Sequence, residues 1–146
     1  MKAISLWQPW ASLWVCGRKK FETRSWSTNY GGRLLVHAAK RVVSDIPDEL
    51  YAICEEEFGL LWEGTLPTGA LIGVCDRVVC ITTEAVLETS QFRQSSVDDE
   101  EAAMGNFAPG RFAWDPFNMR ELDKLVPFRG MQGLFTVPDA LIAGAA

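Results

Sequence analysis

Short runs of apolar and β-branched residues recur at close intervals along this chain, and glycine, proline and asparagine cut each run before it grows long. Residues 2–6 alternate between apolar and polar, which predicts a short strand. Residues 33–38 predict a second strand, with His37 near its end, after the turn signal Asn29, Tyr30, Gly31, Gly32. The longest β-like run is 69–82, carrying Leu71, Ile72, Val74, Val78, Val79 and Ile81. Two further strands are expected over 111–116 and 119–128, and 130–137 crosses a tight turn into a last strand. Helices are fewer. Pro9 is placed to open about two turns over 9–16 that end at Gly17. Residues 45–58 read as an amphipathic helix with an acidic face, Pro47 in its first turn and Gly59 as its cap. Residues 89–110, with Ser95, Ser96 and the acidic run 98–101, read as a polar, mobile loop with a helical turn and a solvated acidic surface. Strands at close spacing without a repeating βαβ rhythm predict an α+β fold: a small mixed barrel with helices on its ends, rather than a doubly wound parallel sheet. At 146 residues the chain is expected to form one domain, 1–146, with enough length to bury a core.

Charge is distributed unevenly. The formal net charge is −5, which argues against a general nucleic-acid glue. Yet residues 1–41 hold eight Lys and Arg against one acid, while 42–146 hold six against eighteen. One basic face on an acidic body would steer an anionic ligand to that face and repel it elsewhere.

The basic third carries a dense motif: Gly17, Arg18, Lys19, Lys20, Phe21, Glu22, Thr23, Arg24. If 21–26 is a strand, Glu22, Arg24 and Trp26 share one face, and Phe21, Thr23 and Ser25 share the other. An anion, a cation and a flat ring on one wall suit a planar, charged ligand such as a nucleotide; a surface Glu–Arg pair is the plainer explanation. Lys19 would neutralise a phosphate or act as a buried base. Glu22 would accept a base amino group or activate water, and Arg24 would clamp an anion with its planar fork. Trp7, Trp10 and Trp26 are candidate stacking surfaces. Gln8 would read a base edge or cap the nearby helix. His37, Lys40, Arg129 and Gln132 complete the candidate ligand set.

Four cysteines lack a C-x-x-C pair and His37 is the sole histidine, so no metal site is expected and the thiols are read as reduced and mostly buried. No apolar run reaches the roughly 20 residues of a membrane span. With no targeting segment recognised, the cytoplasm is the expected compartment.

Ser5-Leu6-Trp7-Gln8-Pro9-Trp10-Ala11, followed by Gly17, Lys19, Glu22 and Arg24 in a G-x-K-x-x-E-x-R pattern, resembles the ASCH domain, the activating signal cointegrator-1 homology region of the PUA-like superfamily. Ser25-Trp26, Gly32-Arg33-Leu34, the stretch from Gly69 to Gly73, Arg111 to Trp114 and Pro127 to Phe135 extend the likeness over nearly the whole chain. The resemblance implies a six-stranded β-barrel with flanking helices, no cofactor, and a cleft that engages RNA, other nucleic acid or a nucleoside-like small molecule. It also implies an alternative, because some bacterial relatives are enzymes: one group removes acetyl from N4-acetylcytidine with a lysine, a threonine and a glutamate, and another cuts RNA. Lys19 matches that lysine, but Glu22 stands where the threonine nucleophile falls. This leaves Lys19 and Glu22 as a candidate acid/base pair, with Asp76 or Glu84 as a third member. Binding module and hydrolase therefore both stand at this point, beside a protein-interaction module as a third reading.

Overall fold

A computed structural model describes residues 1–92 and 97–145, the side chains of 89–92 excepted. Among these residues eight strands form two sheets, accompanied by six helices. The larger sheet has the order β7-β4-β3-β1-β8, and the smaller has β2-β6-β5. In chain order, β1 (Lys2–Gln8) leads through α1 (Trp10–Val15) to the short β2 (Glu22–Arg24) and then to β3 (Leu34–Val42). Next come α2 (Asp48–Phe58), α3 (Trp62–Thr65), β4 (Ala70–Cys75) and β5 (Arg77–Thr82). They are followed by α4 (Thr83–Phe92), α5 (Asp99–Met104), β6 (Phe112–Phe117), β7 (Arg120–Pro127), β8 (Phe135–Thr136) and α6 (Asp139–Ile142).

The α+β expectation holds, and the barrel is corrected. Among the described residues no strand pairing joins the two sheets, so they do not close on each other. The reason lies in the run 69–82, which is two strands rather than one. β4 is buried at every position and sits inside the large sheet, whereas β5 is half-exposed and belongs to the small one. The chain changes sheets at Asp76, whose carboxylate takes hydrogen bonds from Asn118 Nδ2 and Arg120 Nη1, both at 2.9 Å.

The centre of the large sheet is a parallel pair, β1 against β3, inside an otherwise antiparallel sheet. Register places Ile4 opposite Val36, Ser5 opposite His37 and Leu6 opposite Ala38. Since side chains alternate, Ile4, Leu6, Leu34, Val36 and Ala38 face one way, into a core closed by Trp14 and Trp114. Ala3 and Leu35 face the other way and pack with Leu71, Val74 and Phe135. Ser5, His37 and Trp7 continue this second face beyond the apolar cluster. α1 can lie flat on the sheet because β4 has Gly73, where a Cβ would come within 2.5 Å of Val15 Cγ2.

The expected strands and the helices over 9–16 and 45–58 agree closely elsewhere, while α3, α4 and α6 are not expected from the sequence. The strand expected over 21–26 is shorter, ending at Arg24, so Trp26 lies beyond it and packs edge-on against Trp114 at 4.8 Å. The segment 89–110 departs most. Ser95 and Ser96 lie outside the described residues, but α5 is a capped helix, with Asp98 Oδ1 accepting from the Glu101 backbone N–H at 2.8 Å. Nor is the acidic run wholly solvated. Glu101 is buried and accepts the Lys20 and Phe21 backbone N–H groups at 2.8–2.9 Å. Burial pushes its carboxyl up, against the pull of those two amides. Glu101→Ala leaves both donors without a partner and is expected to lower stability by about 3 kcal/mol in urea unfolding, since an orphaned buried group costs about 1–3 kcal/mol.

Candidate ligand-binding cleft

Two depressions meet along the outer face of β1, and Ser5, Trp7 and Arg24 line both of them. The larger, about 1190 Å³, is floored by the ends of β1 and β3 and walled by the loop that runs from Phe128 to Gly133. Its charged lining is Arg24, Lys40 and Arg129, with no carboxylate among the described residues. Trp7, Trp26, His37 and Gln132 line it as well. Among the described residues the side chains of Lys40 and Arg129 have no ion-pair or hydrogen-bond partner. The smaller depression, about 590 Å³, is lined by Trp10, Glu22, Thr23, Asn106 and Arg111, among others.

A chain of buried charge lies beneath their shared wall. Lys19 is 1 % exposed and donates to Glu22 Oε1 at 3.0 Å and to the Phe21 carbonyl. Glu22 also accepts the Thr23 backbone N–H at 2.8 Å, while its second oxygen faces Arg24 Nη2 at 3.4 Å. Arg24 Nη2 reaches across to the Ser5 carbonyl at 2.9 Å. Lys19 therefore fixes Glu22, Glu22 aims Arg24, and Arg24 presents the rest of its guanidinium to the cleft. The three motif residues act in series, and only the last has substantial exposure, 27 % of its side chain.

His37 sits against Ser5, as their strand register requires. His37 Nε2 lies 2.7 Å from the Phe128 carbonyl oxygen, and Nδ1 lies 2.9 Å from Ser5 Oγ. A carbonyl only accepts, so Nε2 carries the proton, and Nδ1 of the neutral ring accepts from the Ser5 hydroxyl. Burial lowers the His37 pKa below its ordinary value of 6.5, the Phe128 bond opposing. The ring also meets the Phe135 ring edge-on at 6.0 Å.

Other candidates fall elsewhere. Gln8 is fully buried; its Oε1 accepts the Ser12 backbone N–H at 3.0 Å, and its Nε2 donates to Ser12 Oγ and the Pro67 carbonyl. The base-edge reading of Gln8 thus gives way to the helix-capping one. Lys19 lines neither depression. Asp76 belongs to the β4–β5 corner, and Glu84 accepts the Gly110 backbone N–H at 2.6 Å; neither joins Lys19 and Glu22. Trp7 is 50 % exposed, with the Arg41 guanidinium 4.1 Å from its ring centroid. Ser5, Arg41, Phe128 and Gly130 are absent from the sequence-derived set. Only the pairing of β1 with β3 reveals Ser5, and nothing local in the sequence marks that pairing. Among the described residues no three His, Cys, Asp or Glu side chains gather as a metal site, and no helix is long and apolar enough to cross a membrane.

The sequence model of the ASCH domain matches residues 4–126. This chain belongs to the ASCH family. Activating signal cointegrator 1 from Mus musculus is 29% identical over 145 residues, covering 97% of this chain and 23% of that protein. The Homo sapiens protein of the same name is 34% identical over 91 residues, covering 58% of this chain and 15% of its own length. The chain thus spans less than a quarter of these relatives and is their distant homologue. The crystal structure of ASCH from Zymomonas mobilis superposes with a TM-score of 0.53 at 13% identity, covering 98% of this chain and 91% of that one, a likeness of fold alone.

Two outcomes are expected of this ASCH domain. Lys19→Met removes the cation from a buried pair and leaves Glu22 charged, so stability should fall by about 3 kcal/mol or more in denaturant titration. An ¹⁵N NMR titration of the single histidine should show the Nε2–H tautomer with a midpoint below pH 6.5. Because the unfolded chain takes up this proton first, stability from His37 is complete above pH 6.5 and declines as pH falls toward the lowered folded value.

Proposed function

We propose that this ASCH domain binds single-stranded nucleic acid, RNA foremost, or a nucleotide-like ligand in the larger cleft. The observation that carries this reading is the lining: Arg24, Lys40 and Arg129, and no carboxylate among the described residues, line the larger depression of a protein whose net charge is −5. The side chains of Lys40 and Arg129 have no ion-pair or hydrogen-bond partner among the described residues, so a phosphate would meet them without displacing one. The field outside is acidic, so an anion approaching this face is steered and one approaching elsewhere is repelled.

Trp7 supplies the second element. A half-exposed indole at the rim offers a flat face for a base, and stacking of this kind contributes about 1–3 kcal/mol per base without regard to sequence. Arg41 braces the ring from one side. Bases must be splayed to stack, which favours a single strand over a duplex. In this arrangement Lys19 and Glu22 support Arg24 from beneath rather than contacting the ligand.

Fluorescence anisotropy with a labelled single-stranded RNA tests the reading. Binding should weaken steeply with salt, and a Lys40→Ala, Arg129→Ala double variant should reduce the slope of log K against log salt by about 1.4, two phosphate contacts at about 0.7 each. A double variant that binds with an unchanged slope places the ligand elsewhere.

A further inference from the structure

The pairing of Ser5 with His37 has the parts of an activated nucleophile, and neither the Ser5 hydroxyl nor the His37 ring is spent in the binding scheme above. Ser5 lines both depressions and is half-buried. Its hydroxyl is 2.9 Å from a ring nitrogen that carries no proton, and the opposite nitrogen is held by the Phe128 carbonyl at 2.7 Å. Nucleophile, base and orienting acceptor thus stand in one line, the arrangement that makes a serine hydroxyl reactive. The orienting group is a backbone carbonyl instead of a carboxylate, so it fixes the tautomer without adding charge.

Two features of the surrounding loop fit this arrangement. Gly130 lies directly over the pair: a Cβ there would come within 2.6 Å of His37 Cε1, 2.7 Å of Nδ1 and 3.0 Å of Ser5 Oγ. Glycine leaves that volume open beside the hydroxyl. Among the described residues the backbone N–H groups of Arg129, Gly130 and Met131 also have no protein partner, and all three residues line the cleft. Free amides beside a serine are the donors that a developing oxyanion needs.

We propose that Ser5 is the nucleophile and His37 the general base of an esterase centre acting on carboxylic esters that carry an anionic group. Ser5 Oγ attacks the ester carbonyl carbon, its proton passes to His37 Nδ1, and the carbonyl electron pair moves onto oxygen, which the loop amides receive. When the carbonyl re-forms, the C–O bond to the leaving alcohol breaks and the alcohol takes the proton from Nδ1. Water then attacks the acyl carbon with Nδ1 again accepting a proton, the C–Oγ bond breaks to release the acid, and Oγ takes the proton back from Nδ1 to restore the Ser5 hydroxyl. The nucleophile stands apart from nucleic-acid binding; only the preference for an anionic ester rests on that reading.

The test is labelling by a fluorophosphonate, which phosphonylates activated serines, followed by peptide mass spectrometry. The modification is expected on Ser5 and should vanish in Ser5→Ala, a change that removes a single oxygen. His37→Gln, which still offers an N–H to Phe128, should slow labelling by about 100-fold or more, the usual contribution of a general base. Gly130→Ala should also slow it, by forcing a methyl against the pair. In the unmodified protein the rate should rise as His37 loses its proton, with a midpoint below pH 6.5; the charged side chains that line this cleft with His37 are Arg24, Lys40 and Arg129. Labelling slowed by a short single-stranded RNA places nucleotide and nucleophile in one cleft. Labelling that RNA leaves unslowed keeps the nucleophile and counts against the binding reading. Folded protein in which Ser5 stays unmodified at pH 8, or is modified equally fast in His37→Gln, overturns the proposal.

Discussion

The parallel pairing of β1 with β3 is the constraint from which the rest of the molecule follows. It fills the centre of the large sheet, and its register decides which side chains see the core. With Ile4 opposite Val36, the apolar alternation of both strands falls on one face and closes over Trp14. The same register sets Ser5 beside His37 and brings Trp7 out at the rim. A one-residue slip of β1 against β3 would turn Ile4 and Leu6 away from the Trp14 core and set Ser5 against it, separating Ser5 from His37. Core and cleft are therefore two consequences of one pairing.

On that frame the basic motif works as a relay rather than as a patch. Arg18 is taken up by Glu56, Glu57 and Glu100 on the surface, and Lys19 by Glu22 inside. What emerges at the cleft is Arg24, held by Glu22 and the Ser5 carbonyl. Glu101 pins the start of the motif from the other side through the Lys20 and Phe21 amides. A cluster that looks strongly cationic in sequence thus contributes one oriented guanidinium, and the other cleft cations, Lys40 and Arg129, arrive from β3 and the loop after β7. The low overall charge of the protein and the carboxylate-free cleft are compatible because the acids stand elsewhere.

Much of this was legible in the amino-acid order. Alternation and turn residues located most strands, proline and glycine bounded α1 and α2, and the motif in register with the tryptophan segment pointed to the ASCH family. Trp7, Arg24, Trp26, His37, Lys40, Arg129 and Gln132 do line one cleft. What escaped were facts of tertiary pairing. The run 69–82 is apolar on both sides of Asp76 and Arg77, and its change of sheet at Asp76 depends on partners more than 40 residues away. Glu101 looks like its solvated neighbours until the amides it meets are seen. Gln8 looks like a ligand contact until it is found to be buried, with partners on Ser12 and Pro67. Ser5 is an ordinary serine in an alternating strand, and only the strand beside it makes it notable.

The central claim is that the face built by β1, β3 and the loop after β7 is where this domain meets its ligand. Two-dimensional ¹H–¹⁵N NMR of the labelled protein, titrated with a short single-stranded RNA at low salt, tests it most directly. The account predicts that the Trp7 indole N–H and the amides of Gly130, Met131, Gln132 and Gly133 shift most and saturate together. Perturbations confined to α2 and α3, or none at all with the RNA in excess, would contradict it.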